Sequence, residues 1–144
     1  MLNFSKRGKR SGQAIVEFLM VFIMMIMAIA LLMEVGRAVI TVQATSSAAF
    51  AGVRQGVLTK APSNLSVAQQ TARQAAMENV PFAKAGYTSI SNVQAYPKAG
   101  QNAPGYPLEV VVTVSLKPIF SQYFLPNWAS FNVSRKAVMI MEDV

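Results

Sequence analysis

The longest stretch of the chain without a charged residue, a glycine or a proline runs from Phe18 to Met33 and covers sixteen residues. Extended back to Ala14, the stretch reaches twenty residues, and Glu17 is its only charged side chain. A helix needs about 20 apolar residues, at about 1.5 Å each, to cross a hydrocarbon core of about 30 Å. The sequence therefore predicts one membrane-spanning helix near the N-terminus.

The charges around this stretch predict its orientation. Four of the thirteen basic residues precede it, and no acidic residue occurs among the first sixteen residues. A basic cluster of this kind stays on the cytoplasmic side, so the rest of the chain is expected outside the cytoplasm. The net charge of +7 falls to +3 without residues 1–12, and the remaining basic residues are scattered singly. We therefore expect no nucleic-acid partner.

The residue types that carry most enzymatic and metal chemistry are missing from the sequence. There is no Cys and no His, so disulfides, thiolate metal sites and histidine-based catalysis are excluded. Of the six acidic residues, only Glu78 and Glu109 lie in the predicted head before the C-terminal tail, and neither has an acidic neighbour in sequence. No phosphate-binding loop or dinucleotide fingerprint occurs. We expect no enzyme, no metal and no cofactor.

Helical periodicity continues beyond the apolar stretch. Apolar residues recur at spacings of three, four or seven and form a stripe, namely Val39, Val42, Ala49, Val53 and Val57. This stripe predicts one helix from Gln13 to Lys60, ended by Pro62. Small residues in this extension permit close approach of another backbone, either a second membrane helix or the sheet of the same chain, and both alternatives stay open. These small residues are Gly36, Ala44, Ala48, Ala51 and Gly52.

The remaining residues predict a small α+β head. Ser66 and Gln69 have the spacing of a capping box and predict a second helix over 65–79. Alternating side chains predict a strand over 108–117, with further strands at about 88–95 and 131–141, and a loop over 96–107. The aromatic segment Pro118–Trp128 either caps the core or forms a contact surface. The predicted organisation is a basic leader at 1–12, a transmembrane helix at 13–35, a helix extension at 36–61 and an extracytoplasmic head at 62–144.

The segment between the basic leader and the apolar stretch carries the most informative motif. A conventional secretory signal is cut after its apolar region, at a small-x-small site. Here the candidate cut follows Gly12 and lies before the apolar region. Cleavage between Gly12 and Gln13 would leave the hydrophobic helix attached as the mature N-terminus.

Glu17 would then be the fifth residue of the mature chain. An ionised carboxylate inside a bilayer is costly and needs an explanation. One explanation is its place near the helix start, where the helix dipole favours a negative charge by about 0.3–1 kcal/mol. The other is pairing with the freed α-amine of a neighbouring subunit during assembly. The residues alone leave both explanations open.

The order of these features resembles the TadE-like family of minor pilins. It consists of Gly12 with Val16-Glu17-Phe18, an apolar span, the exit Glu34-Val-Gly36-Arg37, and an Ala-rich segment that ends at Arg54. The resemblance covers residues 12–54. Family members typically carry a proline early in the span, where this chain has Ile23 and its neighbours.

The resemblance implies a pseudopilin-like component of a bacterial tight-adherence (Flp-type, type IVc) pilus with a type IV pilin-like fold. It implies cleavage at Gly12–Gln13 by a prepilin peptidase and an assembly role for Glu17 and Phe18. The implied partners are major Flp-like and minor pilin subunits, the peptidase and the inner-membrane assembly platform. The implied location is the inner membrane, with a single pass and an exported head, and then the pilus. There the chain would prime or cap the filament and support adhesion.

The sequence permits two alternatives to a minor pilin. Ala28-Ile29-Ala30 has the pattern of a conventional cleavage site, although the apolar stretch continues beyond it. In that case, or if the anchor stays uncleaved, the chain is an exported envelope protein with a non-enzymatic binding head. A major pilin is disfavoured, because major subunits of the Flp type carry little or no head.

Overall fold

In the computed structural model, the structure describes residues 8–81, 83, 85–98, 100–119 and 130–141. Two helices are followed by three strands. The helices are α1 (Gly8–Val57) and α2 (Asn64–Asn79), and the strands are β1 (Thr88–Pro97), β2 (Pro107–Leu116) and β3 (Phe131–Ile140). The α+β fold class predicted from the sequence, with a long N-terminal helix, a short helix and a small antiparallel sheet, is confirmed.

The 50 residues of α1 form one continuous helix, which is about 75 Å long at the usual rise. It includes residues 8–12 and so begins earlier than the predicted Gln13, whereas it ends at Val57, three residues before the predicted Lys60. The Thr59 amide donates to the carbonyl of Gly56 at 3.3 Å, so the chain tightens into a three-residue turn before Pro62 is reached.

The three strands form an antiparallel sheet in the order β1-β2-β3. Ala95 lies opposite Val110, which in turn lies opposite Ala137, and a bulge interrupts β1 between Ile90 and Asn92. The even-numbered side chains of β2 are fully buried, as the predicted alternation requires. The predicted aromatic segment falls largely outside the described residues, which stop at Ile119 and resume at Ser130.

The core forms around the C-terminal half of α1. Its buried positions follow the helical spacing of three and four and include Ala48, Ala49, Val53 and Val57. Of the predicted stripe, Val39 is exposed instead, because it lies on the side of α1 that faces away from the head. Together with α2 and the sheet these residues enclose the apolar interior.

The start of α2 differs from the predicted capping box. The helix begins at Asn64, so Ser66 lies inside its first turn, and the Ser66 hydroxyl donates to the carbonyl of Ser63. Asn64 instead exchanges two hydrogen bonds with Asn102, of 2.6 and 2.9 Å, between their side-chain amides. Asn102, which lies 38 residues away between β1 and β2, therefore holds the start of this helix.

The closest approach between α1 and α2 occurs at Gly52. A Cβ at this position would lie 2.5 Å from Ala72 Cβ and 2.7 Å from the Ala68 carbonyl oxygen. Both distances are so short that Ala68 or Ala72 would have to move. The two helices therefore pack at a separation that only glycine permits here.

Gly52→Ala should therefore lower the free energy of unfolding of the head by about 1–3 kcal/mol, because the added methyl group overpacks the helix pair. Gly36→Ala is the matched control: its Cβ meets nothing within 4 Å, and loss of a helical glycine stabilises by about 0.5–1 kcal/mol. Thermal unfolding of the full chain in detergent, followed by near-ultraviolet circular dichroism, measures both. Equal midpoints for Gly52→Ala and the unchanged protein would contradict this packing.

Candidate functional site

The predicted processing and assembly residues lie on the first turns of α1, away from the other helices and strands that the structure describes. Gly12, Gln13 and Glu17 are exposed, and a Cβ on Gly12 would meet nothing within 4 Å. The Gln13 side-chain amide donates to Glu17 Oε1 at 3.1 Å. Phe18 is 66% exposed, and its ring stacks on that of Phe22 with centroids 5.9 Å apart. These groups are available to a peptidase or a second subunit.

The first half of α1 meets the requirements for a membrane span. An 18-residue window within Gly12–Val57 has a mean hydropathy of 2.8, and none of that window is buried by the rest of the chain. No described residue outside α1 covers the apolar side chains between Ile15 and Ile29, all of which are exposed. One N-terminal helix is therefore long and apolar enough to cross a bilayer.

Charged residues at the end of this apolar half connect α1 to the sheet. Arg37 Nη2 contacts Glu34 Oε2 at 2.8 Å and donates to the carbonyl oxygen of Lys117, directly after β2. The backbone amide of Ile119 donates to Glu34 Oε1. The Arg37 side chain is 6% exposed and that of Glu34 is 15% exposed, so this pair is largely shielded from solvent. We call these four residues the exit clamp.

The exit clamp explains why a Glu and an Arg stand three residues apart at this point. On a helix this spacing places both side chains on one face. The sequence predicted Glu34 and Arg37 as the exit from the apolar span but gave no indication of their partners at Lys117 and Ile119. Those partners are backbone groups about 80 residues away, and a backbone group carries no sequence signal.

The small residues of the helix extension occupy three different environments. Ala44 and Ala48 are buried in the core, and Gly52 lies against α2. Ala51 is half-buried. Gly36 is exposed, with open space where a Cβ would be. The alanines and Gly52 thus pack against other parts of the head. No described residue packs against Gly36 in the same way.

The two acidic residues in the described part of the head, Glu78 and Glu109, each accept a hydrogen bond from a neutral side chain. The Tyr96 hydroxyl donates to Glu109 Oε1 at 2.8 Å, and this hydrogen bond raises the pKa of Tyr96 above its ordinary value. The Gln74 amide donates to Glu78 Oε1 at 3.1 Å on the surface of α2. Among the described residues, no three His, Cys, Asp or Glu side chains come together in a group that could hold a metal ion.

Comparison with known families gives a match that lies within α1. The profile of the family described as TadE-like protein matches residues 12–54, which is the range over which the sequence resembles that family. The match covers the apolar span, Glu34 and Arg37 of the exit clamp, and the segment that packs into the head. No curated protein and no solved structure matches the chain. The resemblance predicted from the motifs is confirmed over this range and indicates a protein associated with the Tad pilus.

Removal of the Arg37 guanidinium should loosen the sheet from the helix. Arg37→Met removes both the ion pair with Glu34 and the hydrogen bond to the Lys117 carbonyl, and loss of one partner from a buried pair costs about 3 kcal/mol or more. Arg54→Met is the matched control, because Arg54 is an exposed arginine of the same helix and should change stability by less than about 0.5 kcal/mol.

Amide hydrogen exchange measures the loss of stability in Arg37→Met and shows where the structure opens. The Ile119 amide should lose protection in Arg37→Met before the amides at the centre of β2 do, because the clamp opens locally. Unchanged exchange at Ile119 would show that the clamp does not hold this end of the sheet.

Proposed function

We propose that this chain is a minor pilin, or pseudopilin, of a tight-adherence pilus, inserted in the inner membrane with its head outside the cytoplasm. It is cleaved between Gly12 and Gln13 by a prepilin peptidase and then primes or caps the filament and supports adhesion. Its role is structural and not enzymatic. Its partners are other pilin subunits, the peptidase and the assembly platform.

The observation that carries this proposal is the division of one helix into two halves. From Gly12 to Met33 the helix is apolar and exposed, whereas from Arg37 to Val57 one face of it forms the centre of the head. A simple tether to the membrane has no need of continuity with the core of its own domain. A helix that carries its head from the bilayer into a filament does need this continuity, because the head has to move with the span.

The position of the candidate cleavage site supports the same function. A cut after Gly12 leaves the whole span on the mature chain and places a new α-amine four residues before Glu17. In the low dielectric of a helix bundle, a carboxylate gains far more from a nearby cation than it does in water. A neighbouring subunit's α-amine is such a cation, while the neutral amide of Gln13 satisfies Glu17 in the free chain.

The second candidate function is an exported envelope protein with a non-enzymatic binding head, either uncleaved or cut at Ala28-Ile29-Ala30. N-terminal sequencing of the mature protein separates the three cases. Gln13 as first residue supports the pilin, Leu31 supports the conventional signal, and Met1 supports the uncleaved anchor.

Gly12→Phe should leave a full-length precursor in the membrane, because a peptidase of this class needs a small residue before the cut. Gly12→Ala is the matched control and should still be processed. The difference of twelve residues is read directly by mass spectrometry of the membrane fraction. Normal processing of Gly12→Phe would reject this site.

Glu17→Ala should still be inserted and cleaved, but its recovery in sheared pili should fall by at least about tenfold, which corresponds to the loss of about 1.4 kcal/mol in assembly. Met20→Ala, an exposed and uncharged position of the same span, should assemble normally. Quantitative immunoblotting of the pilus and membrane fractions measures the ratio. Equal incorporation of both variants would remove the assembly role of Glu17.

A further inference from the structure

A polar groove lies between α2 and the free edge of β1. Its volume is 420 Å³, which is within the range of ligand sites. One wall is formed by exposed side chains of α2, namely Ser66, Gln69, Gln70 and Arg73, and the other by residues 90–93 of β1. The structure describes every residue that lines it. We call this feature the edge groove.

The backbone of β1 has unused hydrogen-bonding groups at its free edge. The Lys98 amide donates to the Pro107 carbonyl, so the antiparallel ladder with β2 is bonded at every second residue back to Asn92. Val93 and Ala95 alternate with these residues and turn their N–H and C=O groups away from β2. No described residue bonds these groups. The edge can therefore pair with one further strand.

The two edges of the sheet differ in charge. β3 carries Arg135 and Lys136 at its centre, and charges of this kind protect an edge strand from pairing. The ten residues of β1 include no charged side chain. The bulge between Ile90 and Asn92 interrupts β1, and the pairing with β2 is regular from there to Pro97. β1 is therefore the edge that is open to a partner, and the bulge limits that partner to a short segment.

Arg73 gives the edge groove a preference for negative charge. No acidic side chain lines the groove, and no described acidic residue forms an ion pair with Arg73. The side-chain amides of Gln69 and Gln70 beside it have no hydrogen-bond partner among the described residues either. A strand added to the edge of β1 directs every second side chain toward α2. A carboxylate at such a position would meet a guanidinium and two free amide donors.

We propose that the edge groove binds a short, extended, acidic segment of another protein. The segment adds to β1 as a further strand, through the outward backbone groups of Val93 and Ala95, and directs a carboxylate to Arg73. In this mode of recognition the backbone hydrogen bonds provide affinity and the alternate side chains provide specificity.

Charge and position disfavour two other occupants. A second copy of this chain offers no carboxylate from its own β1, and its β3 would bring Arg135 and Lys136 next to Arg73. Anionic lipid is too far away under the proposed membrane insertion. The contact of α2 with α1 at Gly52 lies about 15 residues, or roughly 22 Å, beyond Arg37. The headgroup layer is roughly 5–8 Å thick.

The test uses the full-length chain in a non-ionic detergent and two fluorescein-labelled libraries of heptapeptides. The odd positions are randomised between Thr and Val in both libraries. The even positions are Glu in one library and Gln in the other. Fluorescence anisotropy measures the dissociation constants. We expect the Glu library to bind at least about tenfold more tightly, because a hydrogen bond to a charged group is stronger than a neutral one.

Arg73→Gln should lower the affinity for the Glu library to that for the Gln library, and its exposed position allows the variant to fold. Arg54→Gln is the matched control, because Arg54 is exposed on α1, does not line the groove and changes the net charge equally. Equal affinities for the two libraries, or equal losses in the two variants, would overturn the proposal.

Amide hydrogen exchange tests the added strand itself. The Val93 amide should gain protection when the Glu library binds, whereas the Val112 amide at the centre of β2 should not change. Unchanged exchange at Val93 would contradict strand addition.

A further variant tests whether the chain's own acidic residues occupy the groove. Glu142 and Asp143 lie outside the described residues. Their joint replacement by Gln and Asn should leave the affinity for the Glu library unchanged, and a tenfold gain would overturn the proposal in favour of an internal occupant. These measurements require neither cleavage after Gly12 nor incorporation into pili, so their failure is distinguishable from failure of the proposed function.

Discussion

The head depends on the close packing of α1 against α2. At Gly52 the backbones approach so closely that a single added methyl group collides with Ala72, and Gly56 is equally confined between Ala68 and the side chain of Leu108. This contact brings β2 within reach of both helices and closes the core. One of the two packed helices, α1, is the continuation of the apolar span. The head therefore cannot form its core without α1, and the span cannot move independently of the head.

The exit clamp fixes the other end of the same unit. Glu34 and Arg37 hold the chain that leaves β2, about 15 residues, or roughly 22 Å, below the contact at Gly52. With attachments at both levels, the section of α1 between Glu34 and Val57 is rigidly part of the head. The section before Glu34 has no such attachment to the described part of the head. Under the proposed function, its surroundings would change from lipid to the helices of other subunits while the head keeps its structure.

The sequence allowed the elements to be predicted well, because each has a strong local pattern: the apolar stretch, the alternation of β2 and the proline-rich loop. It was less informative on the buried face of α1. Thr41 and Thr45 are fully buried there and donate to carbonyls one turn earlier, a use of threonine that a search for hydrophobic spacing misses. The capping box failed for a related reason, since Asn64 is held by Asn102 from a distant loop. The long-range partners of the exit clamp were likewise beyond prediction.

The apolar length of the span does not by itself favour lipid over other subunits. Lipid chains and the apolar side chains of another helix are alike as solvents, so transfer of the residues from Phe18 to Met33 between them changes the hydrophobic free energy little. Under the proposed function, what differs is the partner offered to Glu17. Lipid chains offer this carboxylate no cation, whereas a bundle of cleaved subunits would offer it an α-amine. Cleavage after Gly12, which would create that α-amine, is therefore expected to shift the balance toward assembly.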